Sequence, residues 1–211
     1  MSATSADQNT IYHERQSMAM CLLHALNNLF QGVAFTRATL DAICKQLSPD
    51  ASVLTNPHRS CLGIGNYDVN VLITALHTKQ CTAVWFDSRK DPHCLDLDNI
   101  VGFVLNVPST TKIGGVLPIP FYPSRHWFAI RLLGGAYYNL DSKLSHPELI
   151  GSSEDLLQFL QEQLADEKSK QLFVVIAAHV ETEETYLHPP YRTKCERARS
   201  AENGESANGN V

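Results

Sequence analysis

Apolar positions along the chain recur with two periods, one near 3.6 residues and one of 2. Leu22, Ala25, Leu26, Leu29 and Phe30 fall at i, i+3, i+4, i+7 and i+8, the stripe of a core helix. Ser17 reads as the N-cap that opens this helix, its hydroxyl accepting from a free amide of the first turn. A second helix starts at Thr36, with Phe35 and Leu40 placed as a hydrophobic staple; Leu40, Ile43, Cys44 and Leu47 form its stripe and Ser48-Pro49 ends it. Asn66 or Asp68 caps a third, whose apolar face carries Val69, Leu72, Ile73 and Leu76. The runs 81–86 and 101–106 are apolar on both faces, which predicts strands of a sheet covered on both sides, the second stopped by Pro108. Residues 107–124 read as an irregular loop, long enough to be functional. Ser152 and Asp155 form a capping-box pattern before Leu156, Leu157, Leu160 and Leu164, and 171–180 reads as a last strand. Helices and strands of this kind predict an α+β domain over residues 11–180. Residues 1–10 and 181–211 are small and polar and are expected to be disordered.

The most constrained local prediction is a hairpin. His126–Leu133 and Ala136–Asp141 flank Gly134-Gly135, a pair suited to a two-residue turn with positive φ. That turn pairs 133 with 136, 132 with 137 and 128 with 141. Cross-strand partners share a face, so His126 and Asp141 become diagonal neighbours with backbones roughly 7–8 Å apart. A slip of one residue would send them to opposite faces, so the inference stands on the turn.

Composition narrows the setting. The 211 residues carry 44 % hydrophobic and 18 % charged side chains, as expected for one globular core. A net charge of -5 argues against a nucleic-acid partner, and no apolar run approaches the ~20 residues that span a membrane. Met1–Thr10 lacks the charged and apolar regions of a signal peptide. Cys21, Cys44, Cys61, Cys81, Cys94 and Cys195 show no paired spacing and read as reduced thiols, which suits the cytoplasm or nucleus.

Cys21 lies beside the first turn of its helix, off the central stripe, where aligned peptide dipoles favour a thiolate. Gln16, five residues earlier, could donate an amide hydrogen to the same spot. Taken alone, Cys21 reads first as a small buried apolar residue, and His126 and Asp141 as a strand-end histidine and a turn residue. Together they supply what nucleophilic thiol catalysis requires. Cys21 would attack a carbonyl carbon, His126 would shuttle the proton, Asp141 would orient the imidazole, and Gln16 with the Cys21 amide would stabilise the oxyanion. His24, one turn beyond Cys21, projects along the same helix and reads as a packing or capping histidine. A different class of reading is zinc binding by Cys21-x-x-His24 and His58-x-x-Cys61, although it leaves Gln16, His126 and Asp141 without a role.

Several segments resemble the Josephin-domain cysteine proteases, a papain-like deubiquitinase family. They are Tyr12-His13-Glu14-Arg15-Gln16, Cys21-x-x-His24-Ala25-Leu26-Asn27-Asn28, Gly63-x-Gly65-Asn66-Tyr67-Asp68-Val69-Asn70-Val71, His126-Trp127 and Tyr137-Tyr138-Asn139-Leu140-Asp141-Ser142. The length and the Gly-Asn-Tyr-Asp-Val-Asn-Val run are similar to the short stand-alone members more than to the long polyglutamine one. The resemblance implies a papain-like fold, with a helical N-terminal part carrying the nucleophile against a central, largely antiparallel sheet. It implies Cys21 as nucleophile, His126 as base, Asp141 as orienting residue and Gln16 as oxyanion donor, with no cofactor and no metal. The implied partner is ubiquitin, on a protein or in a chain, met by a monomer. A catalytically latent ubiquitin-binding module is the alternative, since a misplaced His126 or 107–124 loop would leave the same sequence.

Overall fold

The computed structural model describes residues 11–17, 20–52, 55–59, 66–109, 112–113, 117–118, 124–165 and 170–192. In chain order the helices are α1 (Cys21–Phe30), α2 (Arg37–Leu47), α3 (Val69–His77), α4 (Ser153–Leu164) and α5 (Ala178–Glu183). The strands are β1 (Cys81–Phe86), β2 (Gly102–Ser109), β3 (Lys112–Ile113), β4 (Leu117–Pro118), β5 (Ser124–Leu133), β6 (Ala136–Asn139), β7 (Glu148–Gly151) and β8 (Gln171–Ala177). Six strands form one sheet in the order β1-β8-β2-β5-β6-β7, and β3 pairs with β4 apart from it. Every pairing in the large sheet is antiparallel.

Alternation along the central strands divides the core in two. Val104, Trp127, Ala129, Phe173 and Val175 face α1, α2 and α3, where Leu22, Leu26, Leu29, Leu40, Leu72 and Leu76 are fully buried. Phe103, Leu105, Phe128, Ile130, Leu172, Val174 and Ile176 face the other way and are covered by Leu156, Leu160 and Leu164 of α4. Both-sided apolarity in these strands therefore reports a sheet sandwiched between helices, as expected. Gly102 of β2 lies between α1 and β5 with no room for a side chain. A Cβ there would stand 2.7 Å from the Ile130 carbonyl oxygen and 2.7 Å from a Leu29 methyl. The methyl can turn aside but the paired backbone cannot. Gly102→Ala should therefore lower stability by about 1–3 kcal/mol, the usual cost of overpacking, read as a lower urea midpoint with an unchanged slope.

The caps of α2, α3 and α4 are those the sequence predicts: Thr36 accepts from Thr39, Asp68 from Asn70 and Val71, and Ser152 from Asp155. Elsewhere the expectations need correction. The first helix opens at Cys21 with Met20 at its N-cap; the Ser17 amide and hydroxyl both bond the His24 ring, and residues 11–17 take no regular secondary structure. β2 continues through Pro108 to Ser109. Its pairing with β8 ends at Asn106, so beyond that point β2 has one neighbour, β5, and a missing N–H on the open side costs nothing. The loop expected over 107–124 is shortened accordingly by β2 and β5 and contains the β3–β4 pair. β8 ends at Ala177, where the chain turns into α5. The polar segment from Glu181 is not a free tail up to residue 192, since Leu187 is buried and bridges Leu95. Residues 1–10 and 193–211 lie outside the described residues.

Candidate active site

Helix α1 lies along β5, so the starts of the two elements meet at one end of the sheet. Cys21 is the first residue of α1, and the first helical bond runs from the His24 amide to the Met20 carbonyl at 3.1 Å. The amides of the first turn therefore have no acceptor within the helix, and the dipole favours negative charge beside them. The Cys21 sulfur lies 4.0 Å from the Arg125 carbonyl oxygen and is almost fully buried.

His126 follows Arg125 on β5 and is held from both sides. The Arg125 guanidinium donates to the side chain and backbone oxygens of Asn106 at 2.8 and 2.7 Å. On the other side the Trp127 indole donates to the Tyr67 carbonyl at 3.1 Å and packs on Phe173. The imidazole is 3 % exposed and stacks over Phe128. Its Nε2 meets Asp141 Oδ1 at 2.6 Å, which leaves Nδ1 for the thiol. Burial alone would push the His126 pKa down. Hydrogen bonds to Asp141 and Cys21, with their charges, outweigh it and leave the pKa raised.

Asp141 reaches His126 because the hairpin register is the predicted one. Gly134 and Gly135 take φ of 58° and 88°, and the ladder pairs Leu133 with Ala136, Leu132 with Tyr137 and Ile130 with Asn139. The Leu140 amide adds a bond to the Ala129 carbonyl at 2.8 Å, after which the chain leaves the sheet. Asp141 Oδ1 also accepts from the Lys143 amide at 2.8 Å. Burial would raise the Asp141 pKa; the bonds from His126 and from the Lys143 amide outweigh it and lower the pKa. The two shifts set a pH window. A raised histidine stabilises the fold below its unfolded pKa of about 6.5 and loses this as pH climbs through the folded value. A lowered aspartate contributes above about 3.9 and loses this as pH falls through its folded value. The pair therefore contributes most between those two limits.

Gln16 belongs to an extended strap, residues 12–17, that runs between α1 and the segment after β6. Its amide donates to the Ser142 carbonyl at 2.7 Å, and His13 Nε2 lies 3.0 Å from the Asp141 carbonyl. On the helix side, Glu14 carries a carboxylate 2.6 Å from His24 Nδ1, and the Glu14 amide donates to Asn28 Oδ1 at 2.6 Å. His24 thus has a packing role, with one nitrogen on Glu14 and the other on Ser17. Glu14, Asn27 and Asn28 were not picked out from the sequence as parts of the site. The signal available was a polar Asn-Asn pair inside an otherwise apolar helix stripe, since buried amides are found where they have partners. For the zinc reading, His24 is committed on both nitrogens, His58 Nδ1 lies 2.8 Å from Asp68, and Cys61 is outside the described residues.

Residues 16–176 match the family model described as Josephin. The chain belongs to the Josephin family. Its members are cysteine-protease-like deubiquitinases, and the α+β architecture above is the papain-like fold of that family. This Josephin chain is 48 % identical over 187 residues to a Josephin-like protein of Drosophila melanogaster, covering 86 % of this chain and 82 % of the relative. It is 46 % identical over 166 residues to human Josephin-2, covering 79 % and 86 %. Human ataxin-3 is 29 % identical over 182 residues, but these cover only 45 % of that longer protein. The likeness to short members expected from the Gly-Asn-Tyr-Asp-Val-Asn-Val run agrees with the higher identity and coverage of these two Josephin relatives than of ataxin-3.

Proposed function

We propose that the protein is a thiol hydrolase that cleaves amide bonds following the C-terminus of ubiquitin, on lysine side chains or within ubiquitin chains. The observation that carries this reading is the 2.6 Å bond of His126 to Asp141, with the remaining imidazole nitrogen turned to Cys21 at a helix N-terminus. In the first half-reaction the Cys21 thiolate attacks the carbonyl carbon of the ubiquitin terminus. The oxyanion is stabilised by the Cys21 amide and the Gln16 side chain, and His126 protonates the leaving amine. A thioester remains. Water, deprotonated by His126, attacks it and releases the ubiquitin carboxylate and the thiol. Asp141 holds the ring in one tautomer throughout and stabilises its charged form. The reduced-thiol composition is the basis for placing this activity in the cytoplasm or nucleus, and one complete set of groups on one chain is the basis for a working monomer.

A latent state of the same site is the second reading, favoured by the burial of Cys21 at 4 % exposure. Ubiquitin bearing an electrophile in place of its C-terminal carboxylate separates the two. Mass spectrometry should find one adduct, at Cys21, and none in Cys21→Ala. Selective iodoacetamide labelling of Cys21 without a ubiquitin adduct would point to latency or another substrate. An inert Cys21 would point to a binding module.

A further inference from the structure

We infer that Asn28 is a positioning residue of this site, a single buried amide that sets the spacing of the nucleophile, the oxyanion strap and the orienting carboxylate. The inference rests on the function proposed above. Asn28 is 0 % exposed and lies seven residues after Cys21, the same face of α1 two turns on. Its Nδ2 donates to the Leu140 carbonyl at 2.9 Å, one residue before Asp141, and to the Glu14 carbonyl at 3.3 Å. Its Oδ1 accepts the Glu14 amide at 2.6 Å, two residues before Gln16. One side chain therefore ties together three segments that are distant in sequence and that each supply a different group to the chemistry.

These bonds have a direction that only a carboxamide provides. The Glu14 amide needs an acceptor, and the Leu140 and Glu14 carbonyls need a donor. Leucine would fit the apolar stripe but satisfy neither, and aspartate would keep the acceptor while setting a charged oxygen against the Leu140 carbonyl. Leu140 is itself fixed by its bond to Ala129, so the strain of that repulsion moves Asp141 or α1, and with them the His126–Cys21 alignment. Misplacement of about 1 Å at a reacting group can cost on the order of 100-fold in rate. The flanking Asn27 does something different: it donates to Glu14 Oε1 and the Phe35 carbonyl and accepts the Phe35 amide, holding the turn after α1 and leaving the 140–142 segment alone.

The test uses Asn28→Asp and Asn28→Gln in the full chain, with steady-state kinetics on ubiquitin carrying a fluorogenic C-terminal amide and the pH dependence of Cys21 alkylation by iodoacetamide. Asn28→Asp should lower kcat by at least about tenfold with KM within about twofold, and displace the alkylation profile. Asn28→Gln keeps donor and acceptor on a longer arm and should recover part of both. A folded Asn28→Asp with wild-type kcat and alkylation profile, even if less heat-stable, would overturn the positioning role. If Asn28→Asp does not fold, the same two readouts on Asn28→Gln decide: an unchanged kcat and profile overturn the role equally. Failure of the function itself looks different. There the wild type would not cleave the ubiquitin amide, while the alkylation profiles, which need no ubiquitin, would still report whether Asn28 governs the site.

Discussion

Cys21→Ala should abolish turnover of ubiquitin amides while leaving the protein folded and able to bind ubiquitin. The expected loss is large because nothing else can take the place of the sulfur. Removing a nucleophile that works with a base typically costs ~10⁴-fold or more in kcat. Stability should change little. The side chain shrinks by one atom, and its sulfur lies 4.0 Å from the Arg125 carbonyl oxygen and also bonds the His126 ring. Release of a fluorogenic group at enzyme excess, beside a thermal melt and a ubiquitin titration, reads all three quantities. Cleavage by Cys21→Ala above the buffer rate would remove Cys21 as the nucleophile.

His126→Ala should be the next most damaging change and should alter the pH behaviour of what remains. Loss of a general acid–base typically costs about 10²–10⁴-fold. Without an imidazolium partner the Cys21 thiolate loses its nearby positive charge, so alkylation by iodoacetamide should require higher pH. Alkylation at neutral pH equal to that of the wild type would refute the ion pair. The companion substitutions at Asp141 separate orientation from charge. In Asp141→Asn the oxygen at the Oδ1 position remains the acceptor for the Lys143 amide, bonded at 2.8 Å in the native chain. That amide selects the side-chain oxygen over the nitrogen and turns it toward His126, so the ring keeps its tautomer. Asp141→Asn should therefore be milder than Asp141→Ala in kcat, and equal losses would show that orientation is not its role.

Much of this arrangement was legible in the amino-acid pattern, and the parts that were not share a physical cause. The register that unites His126 with Asp141 follows from two glycines and strict alternation, both local, and the observed pairing of Leu133 with Ala136 agrees with it. Thr36, Asp68 and Ser152 cap as expected because their bonds close within three residues. Ser17 departs from its expected cap role for the opposite reason. Its amide and hydroxyl are bonded to His24, seven residues on, while the Gln16 amide is bonded to the distant Ser142, and neither partner leaves a periodic trace. The bonds of Asn28 leave no such trace either, nor does the ordering of the residues up to 192, where Leu187 is recruited by Leu95. In each case a non-local partner outweighed the local preference.

The strap before α1 bears on the order in which the protein can fold as it is made. His13 meets Asp141 across a sequence separation of 128 residues. At ~5–20 residues per second the ribosome needs roughly 6–25 s to deliver that partner, and the exit tunnel adds further delay. Until then the strap before Cys21 can meet α1 through Glu14 and Ser17 but lacks its partners at residues 141 and 142. The nascent protein therefore completes the contacts around Cys21 late in synthesis, once β6 and the segment that follows it have been made.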